Sequence, residues 1–66
     1  MEFKDNIRAL REDNDLTQWD IAKLLNTNQR RISRLENGIT EPCIQDIKIY
    51  CKIFKVSADW ILNIEY

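Results

Sequence analysis

The sequence predicts an all-α fold, a single compact domain of five short helices, on three observations. Apolar residues recur at spacings of three and four, no segment alternates like a strand, and the chain has one Gly and one Pro. The composition, 44% hydrophobic and 32% charged over 66 residues, is typical of a small globular domain. We therefore expect one domain over residues 1–66 with short connections.

The first helix is predicted from Phe3, Ile7 and Leu10, which recur at i, i+4 and i+7 and so share one helix face. The pattern ends at residues 13–15, where the sequence DND favours a turn. We therefore expect an amphipathic helix that stops before a second helical segment begins near residue 17.

The second helix begins at a predicted capping box. Thr17 is followed three residues later by Asp20, which stands in place of the usual Glu. The apolar residues between positions 21 and 25 form the buried face, which ends at Asn26. A turn of one or two residues commonly requires positive φ, and Asn tolerates that region better than other non-glycine residues. Asn26 is therefore expected at a sharp turn.

The third helix is expected to be capped by Thr27 and to face inward with Ile32 and Leu35. Asn37 and Gly38 supply the left-handed ending that is common after a helix C-terminus. Two helices joined by so short a turn form a helix-turn-helix unit, which we place at about residues 17–37.

The last two helices follow the loop at residues 39–42. The fourth helix is expected to place Tyr50 in the core, at the edge of an apolar stripe, and a short fifth helix, capped by Ser57, is expected to bury Trp60 and Ile61. The predicted stripe consists of Ile44, Ile47, Cys51 and Phe54.

Composition argues against catalytic and metal chemistry. The chain has no His, and Cys43 and Cys51 are too few to hold zinc. We therefore expect two reduced thiols, no metal, no cofactor, no small-molecule ligand and no enzymatic activity. No apolar run approaches about 18 residues, and the first ten residues do not resemble a secretion signal. A cytoplasmic protein without a membrane segment is expected.

Positive charge is concentrated in the third helix. Residues 17–36 contain four basic and two acidic side chains, although the whole chain has a net charge of -1. Projection of the helix places Arg30, Ser33 and Arg34 outward, with Gln29 and Arg31 at the flanks. Such a face would steer a polyanion toward this helix.

The stretch LTQWDIAKLLNTNQRRISRLENG resembles the helix-turn-helix of the lambdoid phage repressor and Cro family, also called XRE-like regulators. VSADWIL resembles that family's closing helix. The resemblance implies a lambda-repressor-like fold and sequence-specific binding of double-stranded DNA, with the third helix in the major groove. Two departures are Asn26, where the family has Gly, and the loop ITE, where many relatives have basic residues. The second departure is expected to weaken sequence-independent binding.

The resemblance also implies a role for individual residues. Arg11 and Glu36 match a buried ion pair that ties the first helix to the end of the third. Trp19 is expected to pack beside the first helix rather than to contact a phosphate or sugar. The residues expected to read bases are Gln29, Arg30, Ser33 and Arg34. Those expected to contact phosphates are Gln18, Asn28, Arg31 and Asn37.

Together these features predict a transcriptional regulator, either a repressor of the phage or mobile-element type or a restriction controller. We expect a palindromic operator and a weak homodimer built on Ile49, Ile53, Ile64 and Tyr66. The alternative is a protein-interaction module, like an antirepressor or antitoxin, that keeps this fold and uses its acidic faces on another protein. DNA binding would weaken steeply with salt, which separates the two.

Overall fold

The computed structural model describes residues 2–62, which form five α-helices. The helices are α1 (Phe3–Asp13), α2 (Gln18–Leu24), α3 (Gln29–Glu36), α4 (Ile44–Phe54) and α5 (Ala58–Ile61). No strand occurs within residues 2–62, and the all-α prediction is confirmed. Over the same residues, every helix is too short or too polar to span a bilayer.

Side-chain caps fix where the helices begin. The hydroxyl of Thr17 accepts a hydrogen bond from the Asp20 N–H at 3.1 Å, and the Asp20 carboxylate accepts one from the Thr17 N–H at 2.8 Å, so the predicted capping box is confirmed. The prediction that Thr27 caps α3 is wrong. Asn28 is the cap and accepts from the Arg31 N–H at 2.9 Å, because Thr27 is still part of the preceding turn and donates its N–H to the Ala22 carbonyl.

Residues with a left-handed backbone follow the ends of α2 and α3. Asn26 has a φ of 56°, as its place in the turn requires, and Gly38 has a φ of 73° just after α3. A Cβ at Gly38 would lie 3.0 Å from the Cδ atom of the flexible Lys4 side chain, so the positive φ is the stronger reason for glycine there. Lys55 ends α4 with a φ of 55°, a left-handed ending that its residue type did not predict.

The core lies where α3 packs on α1 and α2 and where α5 packs on α1 and α4, and Tyr50 of α4 is its largest fully buried side chain. The Tyr50 ring meets Phe3 edge-on and stacks on Phe54, with ring centroids 6.2 and 6.1 Å away. The buried apolar residues are Ile7, Ile21, Ala22, Leu25, Ile32, Leu35, Tyr50 and Ile61.

The predicted stripe of α4 is wrong at Ile44, which is 72% exposed. Ile47, Cys51 and Phe54 pack against the core as expected. Tyr50, expected in the core at the edge of the stripe, is fully buried, so the inward side is rotated toward it. With about 100° per residue, Ile47 and Ile53 lie about 60° to either side of Tyr50, whereas Ile44 lies about 120° away. The helix is apolar on most of its circumference, so its sequence alone did not determine which side faces inward.

The same rotation removes the apolar pair proposed for a dimer. Ile49 and Ile53 are half-buried and pack against the core instead of forming an exposed patch. Ile64 and Tyr66, the other two residues of that proposal, lie outside the described residues. The prediction that Ile49 and Ile53 form an exposed dimer surface on α4 is therefore wrong.

Both tryptophans were expected to pack against the domain, and both are largely exposed. Trp19 is 68% exposed, because it lies about 200° around α2 from the buried Ile21. Trp60 is 49% exposed, beside the fully buried Ile61 in the four-residue helix α5. The cap of α5 is as predicted, with the Ser57 hydroxyl accepting from the Trp60 N–H.

Candidate nucleic-acid interface

The outward face of α3 carries Arg30 and Arg34, one helical turn apart and both exposed. Neither guanidinium forms an ion pair or side-chain hydrogen bond within the described part of the chain. Ser33 lies beside them and is half-buried. This face borders an open cleft of about 430 Å³ that is lined by Asn28, Arg30, Arg31, Arg34 and Thr40.

A relay of hydrogen bonds orients the first residue of α3. Gln18 Nε2 donates to Glu36 Oε1 at 3.2 Å, and Gln29 Nε2 donates to Gln18 Oε1 at 2.6 Å. A carboxylate only accepts hydrogen bonds, so Gln18 must turn its amide nitrogen to Glu36 and its oxygen to Gln29. Gln29 is then left with its own amide oxygen and one N–H for an outside partner.

The relay starts from a buried ion pair. Arg11 Nε and Nη2 donate to the two oxygens of Glu36 at 2.8 and 3.0 Å, and Arg11 Nη1 donates to the Leu16 carbonyl at 2.9 Å. Both side chains are largely buried, Glu36 almost completely. The hydrogen bonds to Glu36 raise the pKa of Arg11 above its ordinary value. The predicted Arg11–Glu36 pair is confirmed, and it joins α1 to the end of α3.

Two residues expected at phosphates cap the ends of α3. Asn28 is the N-cap, and Asn37 lies at the C-cap, where its Nδ2 donates to the Ser33 carbonyl at 2.8 Å. Both are exposed, and capping uses only part of the hydrogen-bonding capacity of each amide. Each is therefore held in place with polar atoms still facing outward.

Arg31 has a partner that the sequence analysis missed. Its Nη1 and Nη2 donate to the two oxygens of Asp46 at 2.9 and 2.6 Å, a bidentate pair that links α3 to the first turn of α4. Asp46 also accepts the Cys43 N–H at 2.9 Å. The hydrogen bonds from Arg31 lower the pKa of Asp46 to about 2. An Asp three residues into a helix was a visible capping signal, but nothing in the sequence pointed to Arg31.

Metal-binding groups and cysteine thiols are two other kinds of functional site to consider within the described residues. No group of three or more His, Cys, Asp or Glu side chains that could hold a metal ion occurs within residues 2–62. Cys43 and Cys51 are free thiols, the first exposed and the second half-buried.

Comparison with known proteins identifies relatives by sequence. A family model described as Helix-turn-helix matches residues 7–61. The antitoxin PezA of Streptococcus pneumoniae is 38% identical over 52 residues, which cover 79% of this chain and 33% of that protein. The HTH-type transcriptional activator BcrR of Enterococcus faecalis is 34% identical over 63 residues, covering 96% and 31%. The chain thus spans about a third of the length of these two relatives.

Solved structures show the same fold. A crystal structure of the P22 c2 repressor in complex with synthetic operator 9T, in the presence of Tl+, superposes with a TM-score of 0.88 at 25% identity, covering 98% of each chain. The solution structure of the DNA-binding domain of the P22 c2 repressor gives a TM-score of 0.84 at 26% identity, covering 94% of this chain and 82% of that one. The arrangement of the five helices is therefore that of a repressor DNA-binding domain.

Proposed function

The chain belongs to the Helix-turn-helix family, and from that premise we propose that it regulates transcription by binding double-stranded DNA in a sequence-specific manner. In this proposal α3 enters the major groove. The similarity to an activator, BcrR, and to the P22 c2 repressor bound to an operator supports regulation of transcription as the role. The protein would act where bacterial DNA is, in the cytoplasm.

The observation that carries the proposal is the outward face of α3. Arg30 and Arg34 are exposed, and neither guanidinium has a carboxylate or carbonyl partner within residues 2–62, so both are available to an outside ligand. Each can present two parallel donors, which fit the O6 and N7 acceptors of guanine. Two cations without an internal partner, next to an amide held by the buried relay, form a surface suited to base edges.

We propose that Gln29, Arg30, Ser33 and Arg34 read bases. Gln29 offers one N–H and one oxygen after its bond to Gln18, and this pair matches the N7 acceptor and N6 donor of adenine. Phosphate contacts are proposed for the residues around this face, Gln18, Asn28, Arg31 and Asn37. These contacts would fix the position of α3 in the groove without reading sequence.

We further propose that two copies bind a palindromic operator as a weak homodimer. Ile44 at the start of α4 and Trp60 in α5 are large and exposed, and a dimer contact would cover such residues. Two-fold symmetric half-sites would lie about one helical turn apart, roughly 34 Å. Sedimentation at high concentration and footprinting test this directly: a monomer that protects a single half-site contradicts it.

Selection of bound fragments from a random DNA pool tests the proposed function. We expect a palindromic consensus, and we expect affinity for that consensus to fall steeply as salt rises. Recovery of fragments with no shared sequence, bound no better than the starting pool, would contradict sequence-specific binding.

A second candidate function is supported by the similarity to the antitoxin PezA. The exposed Trp19 and Leu24 on α2, with the acidic remainder of the surface, would then contact another protein. Since such a contact releases no phosphate counterions, its affinity would fall less steeply with salt than that of DNA binding. A chain that binds a protein partner but shows no salt-dependent DNA binding would favour this candidate over the first.

A further inference from the structure

We propose that Asp46 limits sequence-independent DNA binding by neutralising Arg31 at the edge of the interface. The pair would then offer hydrogen-bond donors to a phosphate while adding almost no net charge. Asp46 would thus set the strength of sequence-independent attraction without itself contacting DNA. The inference rests on the proposed function, because it concerns how strongly the same surface attracts any DNA.

Hydrogen bonds and burial both hold the Arg31–Asp46 pair in place. Both oxygens of Asp46 accept from Arg31, and one of them also accepts the Cys43 N–H, which fixes the carboxylate at the start of α4. The Asp46 side chain is only 6% exposed, whereas that of Arg31 is 32% exposed. The carboxylate is therefore inside and the guanidinium lies between it and the surface.

This arrangement favours retention of the pair when DNA binds. If Arg31 left Asp46 for a phosphate, it would leave a buried carboxylate without a counter-charge, which is strongly unfavourable. Arg31 need not leave, because a guanidinium has five N–H donors and Asp46 occupies two. The remaining donors can reach a phosphate oxygen on the exposed side. Since the pKa of Asp46 is about 2, the carboxylate stays ionised at any pH used for DNA binding.

The consequence for DNA binding concerns counterions. Each cation that neutralises a phosphate adds about 0.9 to the slope of log affinity against log salt. On a non-cognate duplex, which offers them no matching base edges, Arg30 and Arg34 can turn to phosphates, and each should add a full contribution because neither has an acidic partner within residues 2–62. Arg31 is already neutralised by Asp46 and should add little. The cleft is lined by three arginines, but it should attract phosphates with the net charge of only two.

Substitution of one or both partners tests the proposal with a non-cognate duplex as the probe. Asp46→Asn keeps an oxygen for Arg31 and for the Cys43 N–H but removes the charge, so the salt slope should steepen by about one. The double variant Arg31→Gln, Asp46→Asn removes both charges and should keep the slope of the unmodified protein. Asp13→Asn removes the same charge from the exposed end of α1 and serves as the matched control, with no comparable change expected.

Affinity provides a second readout. Asp46→Asn should raise the affinity for the non-cognate duplex several-fold at low salt, and it should raise the affinity for the selected site by a similar factor, because a phosphate contact carries no sequence information. Circular dichroism confirms the fold of each variant. If Asp46→Asn does not fold, the salt slope of the double variant tests the proposal instead. Its two amides can still form a hydrogen bond, and it carries the original net charge.

Two results would overturn the proposal. One is an Asp46→Asn slope equal to that of the unmodified protein, and the other is a double variant whose slope is shallower by about one, which would show Arg31 acting as a full cation. Both differ from a failure of the proposed function, in which the unmodified protein itself shows no salt-dependent binding to DNA.

Discussion

The inward and outward faces of α3 use polar side chains in opposite ways. On the inward side, Glu36 and its partners Arg11 and Gln18 satisfy one another through several short hydrogen bonds. On the outward side, Arg30 and Arg34 have no ion pair within residues 2–62. The contrast indicates that one set of charges holds the helix in place and the other is available to a ligand.

This separation has a physical cause. A buried charge is tolerated only when it is paired and hydrogen-bonded, so the inward residues must be saturated. An exposed arginine meets no such requirement, because water solvates it. Stability and recognition should therefore respond to different substitutions on the same eight-residue helix.

The largest effect should come from removal of the buried carboxylate. Glu36→Ala leaves Arg11 and Gln18 without their shared partner and should destabilise the fold by about 3–5 kcal/mol. Thermal unfolding followed by circular dichroism measures the loss. Glu41→Ala, at an exposed loop position, is the control and should change stability little. An unchanged Tm for Glu36→Ala would mean that the inward network does not hold the domain together.

A smaller effect is expected from Gln18→Ala, which distinguishes the role of the hydrogen-bond relay from that of the Arg11–Glu36 ion pair. Gln18→Ala removes the group that orients Gln29 but leaves the Arg11–Glu36 pair intact, so affinity for the selected DNA site should fall by about 1 kcal/mol. Stability should change less than in Glu36→Ala. Titration of the labelled site, with melting of the same variant, gives both values. A large loss of stability with full DNA affinity would reverse the assignment.

Acid should reduce the stability that the Arg31–Asp46 pair contributes to the fold. The pKa of Asp46 is about 2 in the folded protein, below the ordinary value of 3.8. Its contribution to stability is therefore fully present above about pH 4 and is lost as the pH falls toward 2. We expect the Tm of the unmodified protein to drop more across this interval than that of Asp46→Asn. Parallel curves for the two proteins would show that Asp46 has no depressed pKa.

The smallest effect is expected at Tyr50, whose hydroxyl is buried and has no hydrogen-bond partner within residues 2–62. Burial raises the pKa of Tyr50 well above its ordinary value. Because the hydroxyl gains nothing inside the core, Tyr50→Phe should leave the free energy of unfolding unchanged or increase it slightly. Chemical denaturation measures this difference, and a loss above about 1 kcal/mol would reveal a bond to the hydroxyl.

The helices and most of their ends could be predicted because their signals are local. Spacing of three and four marks an apolar face, and the Thr17 cap, the Asn26 turn and the Ser57 cap each act over a few residues. The Arg11–Glu36 pair joins residues far apart in sequence, so no local pattern indicates it. Resemblance to a known family supplied that prediction.

Features that depend on how the helices pack were not predictable in the same way. The inward side of α4 is chosen by what Tyr50 and its neighbours contact, since apolar residues cover most of that helix. The same packing brings Asp46 to Arg31 and leaves Trp60 exposed. Within the site, the sequence could identify the outward arginines, but only the structure shows that one of the three is already paired.

The measurement that tests the account most directly compares Arg30→Ala and Arg34→Ala on the selected DNA site and on each singly substituted version of it. If the outward face of α3 reads bases, each variant should lose about 1–3 kcal/mol on the selected site and lose discrimination at one base pair, with an unchanged Tm. Lys52→Ala, an exposed cation on α4, should do neither. Equal losses on every sequence for both arginine variants would contradict the account, since α3 would then supply charge without reading DNA.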